Sequence, residues 1–462
     1  MGVMLECLNG VIEAEEVPES WTKSRTKMIK KIGKPTWRDF RPIALTNVSY
    51  KIFMTHIREQ IERHLRINNL VRENQIGFTE GGRIEFNHFM LQFAVEGVLK
   101  GKIVREEHML KYPLTKYAWE NRRRRLYPLT KVNRGLVVVA LDYSKAYDSV
   151  NRKSLIETLI KYKIDPKVID LIYKIYRNDT TLIKFMEEEE EIEITSGIRQ
   201  GCTLSTELFK LVTYEIMREL DEKGEDFVVE DIRMNSLFFA DDSLILARTV
   251  ESAREKIKII AEISKHFGLH INEEKSKALI YGSRGHKEVA KEIEGIKVVK
   301  SLKYLGLEIC DEEDIFRIQK EKIISEMRVL ANATFYAIET SCDRVLMGKL
   351  WWKSLALPKV FLGLGVMSFT TDQVEAMQVI ENTVFRQILR ASCLTPNAVL
   401  RGEIGSSRME NRMIESRFLF VKSIWEGNNE MVKEVLRKVM ENTGNSWNKK
   451  NESIFRKNRF DK

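Results

Sequence analysis

Apolar side chains recur along this chain with two different periods, and the switches between them mark its elements. Leu204, Leu208, Val212, Ile216 and Leu220 return every four residues, which predicts a helix with one buried stripe. Ile257, Ile260, Ile263 and Phe267 predict a second, with Gly268 placed to end it. A third is expected around Ile52–Leu65, and residues 153–177 carry two helical patterns divided at Pro166. Leu136-Val137-Val138-Val139-Ala140-Leu141 is a continuous apolar run, as for a strand buried on both faces. Two shorter runs, Leu237-Phe238-Phe239 and Leu244-Ile245-Leu246, bracket Asp241 and Asp242 and predict a hairpin with the two acids at its buried tip. The acidic stretch Glu187–Glu191 followed by Ile192–Ile194 predicts a strand edge and a turn. Beyond about residue 310 the strand signals thin, and 315–440 reads as mostly helical.

Two segments stand outside this pattern. Tyr-Pro-Leu-Thr-Lys occurs at 112–116 and again at 127–131, flanking arginines at 122–125. Residues 111–131 read as a charged insertion or surface loop, with RNA binding by the arginines as the alternative. Asn442–Lys462 is a polar, basic tail expected to be loosely ordered.

Composition narrows the class. The 462 residues suffice for more than one domain-sized unit, and 43% hydrophobic with 31% charged residues is an ordinary globular balance. No apolar stretch approaches the roughly 18 residues of a membrane span, so no membrane partner is expected. Met1–Gly10 lacks the basic start and apolar core of a signal peptide. Cys7, Cys202, Cys310, Cys342 and Cys393 are scattered away from one another and from the histidines. Zinc knuckles and disulfide frameworks are therefore not expected, and a reducing intracellular setting, nucleus or cytoplasm in a eukaryotic host, fits. The net charge of +9 suits a polyanionic partner.

The chemistry is concentrated at a few carboxylates. Two acids at a buried tip repel each other and lose solvation, which favours a bound cation. Mg²⁺ takes oxygen ligands and is usually shared with phosphates, so the pair points to two-metal phosphoryl transfer. An exposed Asp-Asp turn is the other reading. Asp142 ends the doubly buried run and would bring a third carboxylate to the same sheet edge if the strands pair side by side; a helix cap is its alternative use. Gly197-Ile198-Arg199-Gln200-Gly201 opens the helix beginning near Leu204. Its glycines allow close backbone approach to a ligand, although a plain glycine turn has the same composition.

The order of motifs resembles the reverse transcriptases of non-LTR (LINE-type) retrotransposons. The matching strings are Arg41-Pro42-Ile43-Ala44-Leu45-Thr46-Asn47, Gln75-Ile76-Gly77-Phe78 and Leu141–Val150, followed by Arg199–Ser205, Phe239–Asp242, Asn272–Ser276 and Tyr304-Leu305-Gly306. They span about residues 20–309 in the family's order. The resemblance implies an α+β right-hand polymerase with a mainly antiparallel palm sheet. Fingers are expected at about 20–134, palm at about 135–309, a helical thumb and C-terminal extension at 310–440, and the tail at 441–462. It implies RNA-directed DNA synthesis with Mg²⁺, or Mn²⁺ as a substitute, on an RNA template, a DNA primer and dNTPs.

Residue by residue, Asp142, Asp241 and Asp242 match the metal-binding carboxylates, with the Tyr143 carbonyl as a backbone ligand. Tyr147 matches the aromatic that leaves no room for a ribose 2′-hydroxyl, an ordinary core aromatic being the other reading. Arg41 matches a contact to nucleotide phosphates, assisted by Lys30 or Lys31, which also fit an exposed basic face. Gln200 and Gly201 match the loop beside the templating base. Lys275 matches a lysine that could protonate pyrophosphate, and Tyr304 and Gly306 match the hairpin supporting the primer end. Thr203 and Thr206 depart from the family by standing where it usually has prolines, which should loosen that turn slightly. The chain shows no endonuclease or zinc-knuckle signal, so an endonuclease is expected to come from elsewhere in the element or from the host. The rival readings are a catalytically decayed RNA-binding remnant and a group II intron-type maturase.

Overall fold

The computed structural model describes residues 2–30, 40–99, 135–185, 188–282 and 290–441. The 111–131 insertion, Lys31 and the 442–462 tail lie outside the described residues. In chain order the strands are β1 (Lys23–Lys30), β2 (Phe40–Leu45), β3 (Gly135–Leu141), β4 (Thr180–Phe185), β5 (Glu188–Glu193), β6 (Val228–Val229) and β7 (Ile232–Arg233). They continue with β8 (Ser236–Phe239), β9 (Asp242–Ala247), β10 (Lys277–Gly282), β11 (Glu292–Ile293), β12 (Ile296–Val298), β13 (Ser301–Tyr304) and β14 (Leu307–Cys310).

The central sheet has the order β11-β12-β10-β3-β9-β8 and is antiparallel except between β10 and β12. Its middle strand is β3, buried along its length as its unbroken apolar run requires. Leu136 and Val138 face one core, while Val137, Val139 and Leu141 face the other. Each such fully buried side chain contributes about 1.5–3 kcal/mol, which makes β3 the seam between two hydrophobic cores.

The helices behind the sheet follow their sequence periods. Thr203–Lys223 buries Leu204, Leu208, Val212, Ile216 and Leu220. Val250–His266 starts at Thr249, whose hydroxyl accepts from the Ser252 amide, and stops before Gly268 at φ +74°. Arg152–Lys161 and Pro166–Arg177 are the two helices divided at Pro166. The helix expected around Ile52–Leu65 is longer, Val48–Ile67, because the Asn47 side chain caps it by accepting from the Tyr50 amide.

A second sheet has the order β2-β1-β4-β5. The strand edge expected from the acidic stretch is present: β5 begins at Glu188, is exposed throughout and is the outer strand of this sheet. Pairing with β4 supplies the backbone bonds that glutamate's own preference would not.

After β14 the chain is helical. The long helices Arg317–Glu339 and Thr371–Leu389 pack together, and the last, Glu430–Glu441, returns to Ile84–Leu99. The Glu73 carbonyl accepts from Asn429 Nδ2 at 2.6 Å and its carboxylate from the Met431 amide at 2.7 Å. The C-terminal helices thus share one core with the sheet, running from Ile76 to Val439. No described helix is long and apolar enough to cross a membrane.

Candidate active site

Three strands set the carboxylates. The β3–β9 ladder ends at Leu141 opposite Ser243, so one further step sets Asp142 against Asp242. On its other flank β3 pairs with β10, and the same register carried two steps beyond Lys277–Ala140 sets Lys275 against Asp142. The Lys275 Nζ is in fact 3.7 Å from Asp142 Oδ2. The Asp142 amide donates to Ser276 Oγ at 3.1 Å, and its carbonyl accepts from the Asn272 amide at 2.7 Å. Tyr143 continues the strand as a single bridge to Ile271, with its ring buried.

β8 and β9 form the expected hairpin, with Phe239 opposite Asp242. The expected buried acidic tip is corrected in two respects. The connecting residues are Ala240 and Asp241, with Ala240 in the left-handed region at φ +58°, so Asp242 already belongs to β9. Both acids are exposed. The apolar runs bury the strands, but a two-residue connection projects past the sheet edge.

Although Asp242 reaches solvent, the atoms packed around it strip part of its hydration; this, and then the charges of Asp241 and Asp142, push its carboxyl up from its ordinary 3.8 to about 6. The folded protein therefore holds this proton more tightly than the unfolded chain. The contribution favours folding below about pH 3.8 and is lost as pH rises through about 6. In metal-free buffer the Tm of Asp242→Asn is expected to gain on that of wild type across this window, which paired melting curves would read. Parallel curves would contradict the crowding of the three acids. Divalent cation at neutral pH should close the gap from the wild-type side.

The remaining predicted residues surround this edge. Tyr147 lies on the one-turn helix Ala146–Ser149, half buried and stacked on Phe209 at 4.7 Å with 11° between the rings. Its buried hydroxyl has no hydrogen-bond partner, and burial followed by the Asp241 charge pushes its ionisation well up. The Gly197–Gly201 loop wraps this helix. The Ile198 amide donates to the Tyr147 carbonyl at 2.9 Å, and Gln200 Nε2 donates to Asp148 Oδ1 at 3.3 Å. Gly197, at φ +81°, is needed because a Cβ there would lie 2.5 Å from the Asp148 carbonyl oxygen. The Gln200 carbonyl accepts from the Ala44 amide at 2.7 Å, which ties the loop to β2, the strand carrying exposed Arg41. Lys30 is also exposed, at the end of β1 opposite Phe40. Thr206 donates its hydroxyl to the Thr203 carbonyl at 2.8 Å, so the first turn is stapled without proline.

Tyr304 and Gly306 flank the tight turn between β13 and β14, with Leu305 at φ +44° and Gly306 at +88°. The Tyr304 ring is buried. Its hydroxyl accepts from Asn87 Nδ2 at 2.8 Å and its carbonyl is 2.9 Å from His88 Nε2. Burial, less the Asn87 bond, and the nearby Asp242 charge hold its ionisation well above the ordinary range.

Sequence reasoning assigned no role to two sets of residues that the structure makes central. Asp179 is buried and receives Arg199 through Nε at 2.9 Å and Nη2 at 2.6 Å, and Arg152 Nη2 at 2.5 Å. Gln75 is buried against the β8–β9 tip. Gln75 and Arg199 stand in the motif strings and Asp179 in none, and neither Gln75 nor Asp179 has a local periodicity that announces its long-range partner.

The donor set suits a hard cation. Asp142 Oδ2 is a buried carboxylate oxygen without a hydrogen bond, faced by Asp242 across the ladder. Among the described residues no three acidic, His or Cys side chains are gathered tightly enough to hold an ion alone.

Asp142 and Asp242 thus meet at one sheet edge, with the Gly197–Gly201 loop and the Tyr147 helix nearby in the fold. Residues 29–309 match the family described as Reverse transcriptase (RNA-dependent DNA polymerase), and the chain belongs to that family. It is 27% identical over 241 residues to a retrovirus-related Pol polyprotein from the type-1 retrotransposable element R2 of Bradysia coprophila, covering 47% of this chain and 28% of that protein. It is 24% identical over 388 residues to the Pol polyprotein of the type-2 element R2DM of Drosophila melanogaster, covering 79% of this chain and 32% of that one. The chain thus spans under a third of the length of these relatives, whose elements agree with the non-LTR resemblance. Apo telomerase from Candida tropicalis is similar at 14% identity with a TM-score of 0.46, covering 92% of this chain and 67% of that one.

Proposed function

We propose that this chain copies RNA into DNA, adding dNTPs to the 3′-hydroxyl of a DNA primer. The observation that carries this reading is the meeting of Asp142 with the Asp241–Asp242 hairpin at one sheet edge, inside the family match. Asp142, Asp241, Asp242 and the Tyr143 carbonyl would hold two Mg²⁺ ions, or Mn²⁺, supplying acidification of the primer hydroxyl and neutralisation of the leaving pyrophosphate. Fingers at about 20–134, palm at about 135–309 and thumb from 310 are the divisions that accompany this function.

The protein groups then divide the remaining work. Arg41, with Lys30, steadies the triphosphate through charge-assisted bonds. Gln200 and Gly201 bound the templating base, in a loop held by Asp148 and Ala44. Lys275, whose Nζ is 3.7 Å from Asp142 Oδ2, would give a proton to pyrophosphate. The buried Tyr304 ring supports the primer end from beneath, leaving the Leu305–Gly306 backbone to meet it. Tyr147, braced flat against Phe209, fills the space a 2′-hydroxyl would need.

Two measurements test this. Purified protein should extend a primer on an RNA template with Mg²⁺ and dNTPs, and Asp241→Asn should not; equal, negligible incorporation by both, with RNA still bound, would reduce the chain to an RNA-binding remnant. Tyr147→Ala is expected to relax sugar discrimination by about tenfold to a hundredfold, the range one steric contact can supply. Competition between rNTPs and dNTPs reads this, and unchanged selectivity would remove Tyr147 from the role.

A further inference from the structure

Gln75 is 1% exposed, and two of the four hydrogen bonds of its amide go to one residue, Ala240. Oε1 accepts from the Ala240 amide at 3.0 Å and the Gly77 amide at 3.0 Å. Nε2 donates to the Ala240 carbonyl at 3.2 Å and to Thr213 Oγ1 at 2.9 Å. Both backbone groups of Ala240, the left-handed residue that turns the chain into Asp241, are therefore held by one side chain. A non-glycine residue keeps such a conformation only where its surroundings impose it.

The neighbours of Gln75 reinforce the grip. The Phe238 amide donates to the Asn74 carbonyl at 2.7 Å, and the Ile76 amide donates to the Phe238 carbonyl at 3.0 Å. This backbone runs along the outer edge of β8 as a parallel bridge. Gly77 packs so closely that a Cβ would lie 2.2 Å from the Ala240 nitrogen. The chain then enters the Ile84–Leu99 helix, where Asn87 and His88 hold Tyr304.

We infer that residues 74–88 are a brace between two functional hairpins, with Gln75 as the positioning residue for Asp241 and Asp242. At one end the brace imposes the turn at Ala240; at the other it fixes the Tyr304–Gly306 hairpin relative to that turn. Gln75 meets none of the reacting atoms and acts only through the hairpin it holds. The inference rests on the reading of the site as a nucleotide-adding centre.

The test compares wild type, Gln75→Ala, Gln75→Glu and Asp241→Asn as full chains. Mn²⁺ binding is followed by electron paramagnetic resonance. Single-nucleotide primer extension separates kcat from the KM for dNTP, and melting curves report the fold. Gln75→Ala is expected to weaken Mn²⁺ binding and lower kcat, each by about tenfold to a hundredfold, as loss of a residue supporting metal ligands does. KM should stay within about twofold, because the triphosphate contacts are elsewhere. Gln75→Glu keeps an acceptor for the two amides but turns its other oxygen on the Ala240 carbonyl and buries a charge beside Asp241, so it should lose at least as much as Gln75→Ala.

A purely structural Gln75 would lower Tm while leaving Mn²⁺ binding and kcat per folded molecule unchanged, and that result in either variant overturns the brace. Loss of the fold in both variants overturns it too. If wild type adds nucleotides and Asp241→Asn does not, the functional reading stands and failure falls on the brace alone. If wild type adds none, that reading fails, and Mn²⁺ binding still decides whether Gln75 positions the acids.

Discussion

An Asp142→Asn chain is expected to fold and to bind RNA, yet to add nucleotides on the order of a thousandfold more slowly, about 4 kcal/mol of barrier. Asparagine preserves the shape and can keep the backbone bonds to Ser276 and Asn272, since these involve the Asp142 amide and carbonyl. What disappears is the negative charge on an oxygen buried without a hydrogen-bond partner. No neutral amide replaces that charge for a divalent cation. The cost to stability should be small, because the pair with Lys275 is long at 3.7 Å and both side chains are substantially exposed. Removing one of the charges that crowd Asp242 should also let its carboxyl titrate closer to 3.8. Single-turnover extension beside a melting curve checks all of this. Activity within tenfold of wild type would mean that the carboxylate at the end of β3 is not part of the centre.

The largest effect on stability is expected at Asp179. Asp179→Ala should cost roughly 3–5 kcal/mol, read as a fall in the urea midpoint with little change in slope. The side chain is 1% exposed and compensates two guanidiniums, Arg199 at 3% and Arg152 at 14%. Arg199 also donates to the carbonyls of Trp21 at 2.8 Å and Thr22 at 2.7 Å, and Arg152 to that of Gly197 at 2.8 Å. Removing the acid leaves two cations without their counter-charge, one of them deeply buried, and loosens the Gly197–Gly201 loop from the start of β1. Asp179→Asn, which retains acceptor capacity, should lose less. Equal midpoints for wild type and Asp179→Ala would show that the backbone carbonyls suffice to hold both arginines.

These two residues also show what could be read before the structure. The end of β3 was legible because a doubly buried strand needs an unbroken apolar run, and the first polar residue after it marks the edge. The β8–β9 hairpin was legible for the same reason. Whether its tip lay in the core or in the open was not, because exposure depends on what packs opposite rather than on the runs themselves. Asp179 and Gln75 were illegible in a stronger sense. Their partners lie 20 and 165 residues away, and no local pattern encodes such a meeting. The five-glutamate stretch was legible as an edge but its strand length was not, because strand preference is weak against a partner already in place. Tyr304 carried its motif plainly, but its burial depends on Asn87 and His88, more than 200 residues earlier.

The two-sided burial of β3 has a consequence for how the chain finds its fold. In most half-buried strands a slip of one residue throws apolar groups into water and is rejected at once. Here Val137, Val138 and Val139 would exchange cores with little penalty, since both sides of the strand are apolar. What distinguishes the native alignment is the polar end, where Asp142 meets Ser276, Asn272 and Lys275. The residue that gives the strand its chemistry therefore also serves as its ruler. Substitutions at the β3 terminus are expected to weaken that choice of register, read as slower refolding even when the finished protein is no less stable.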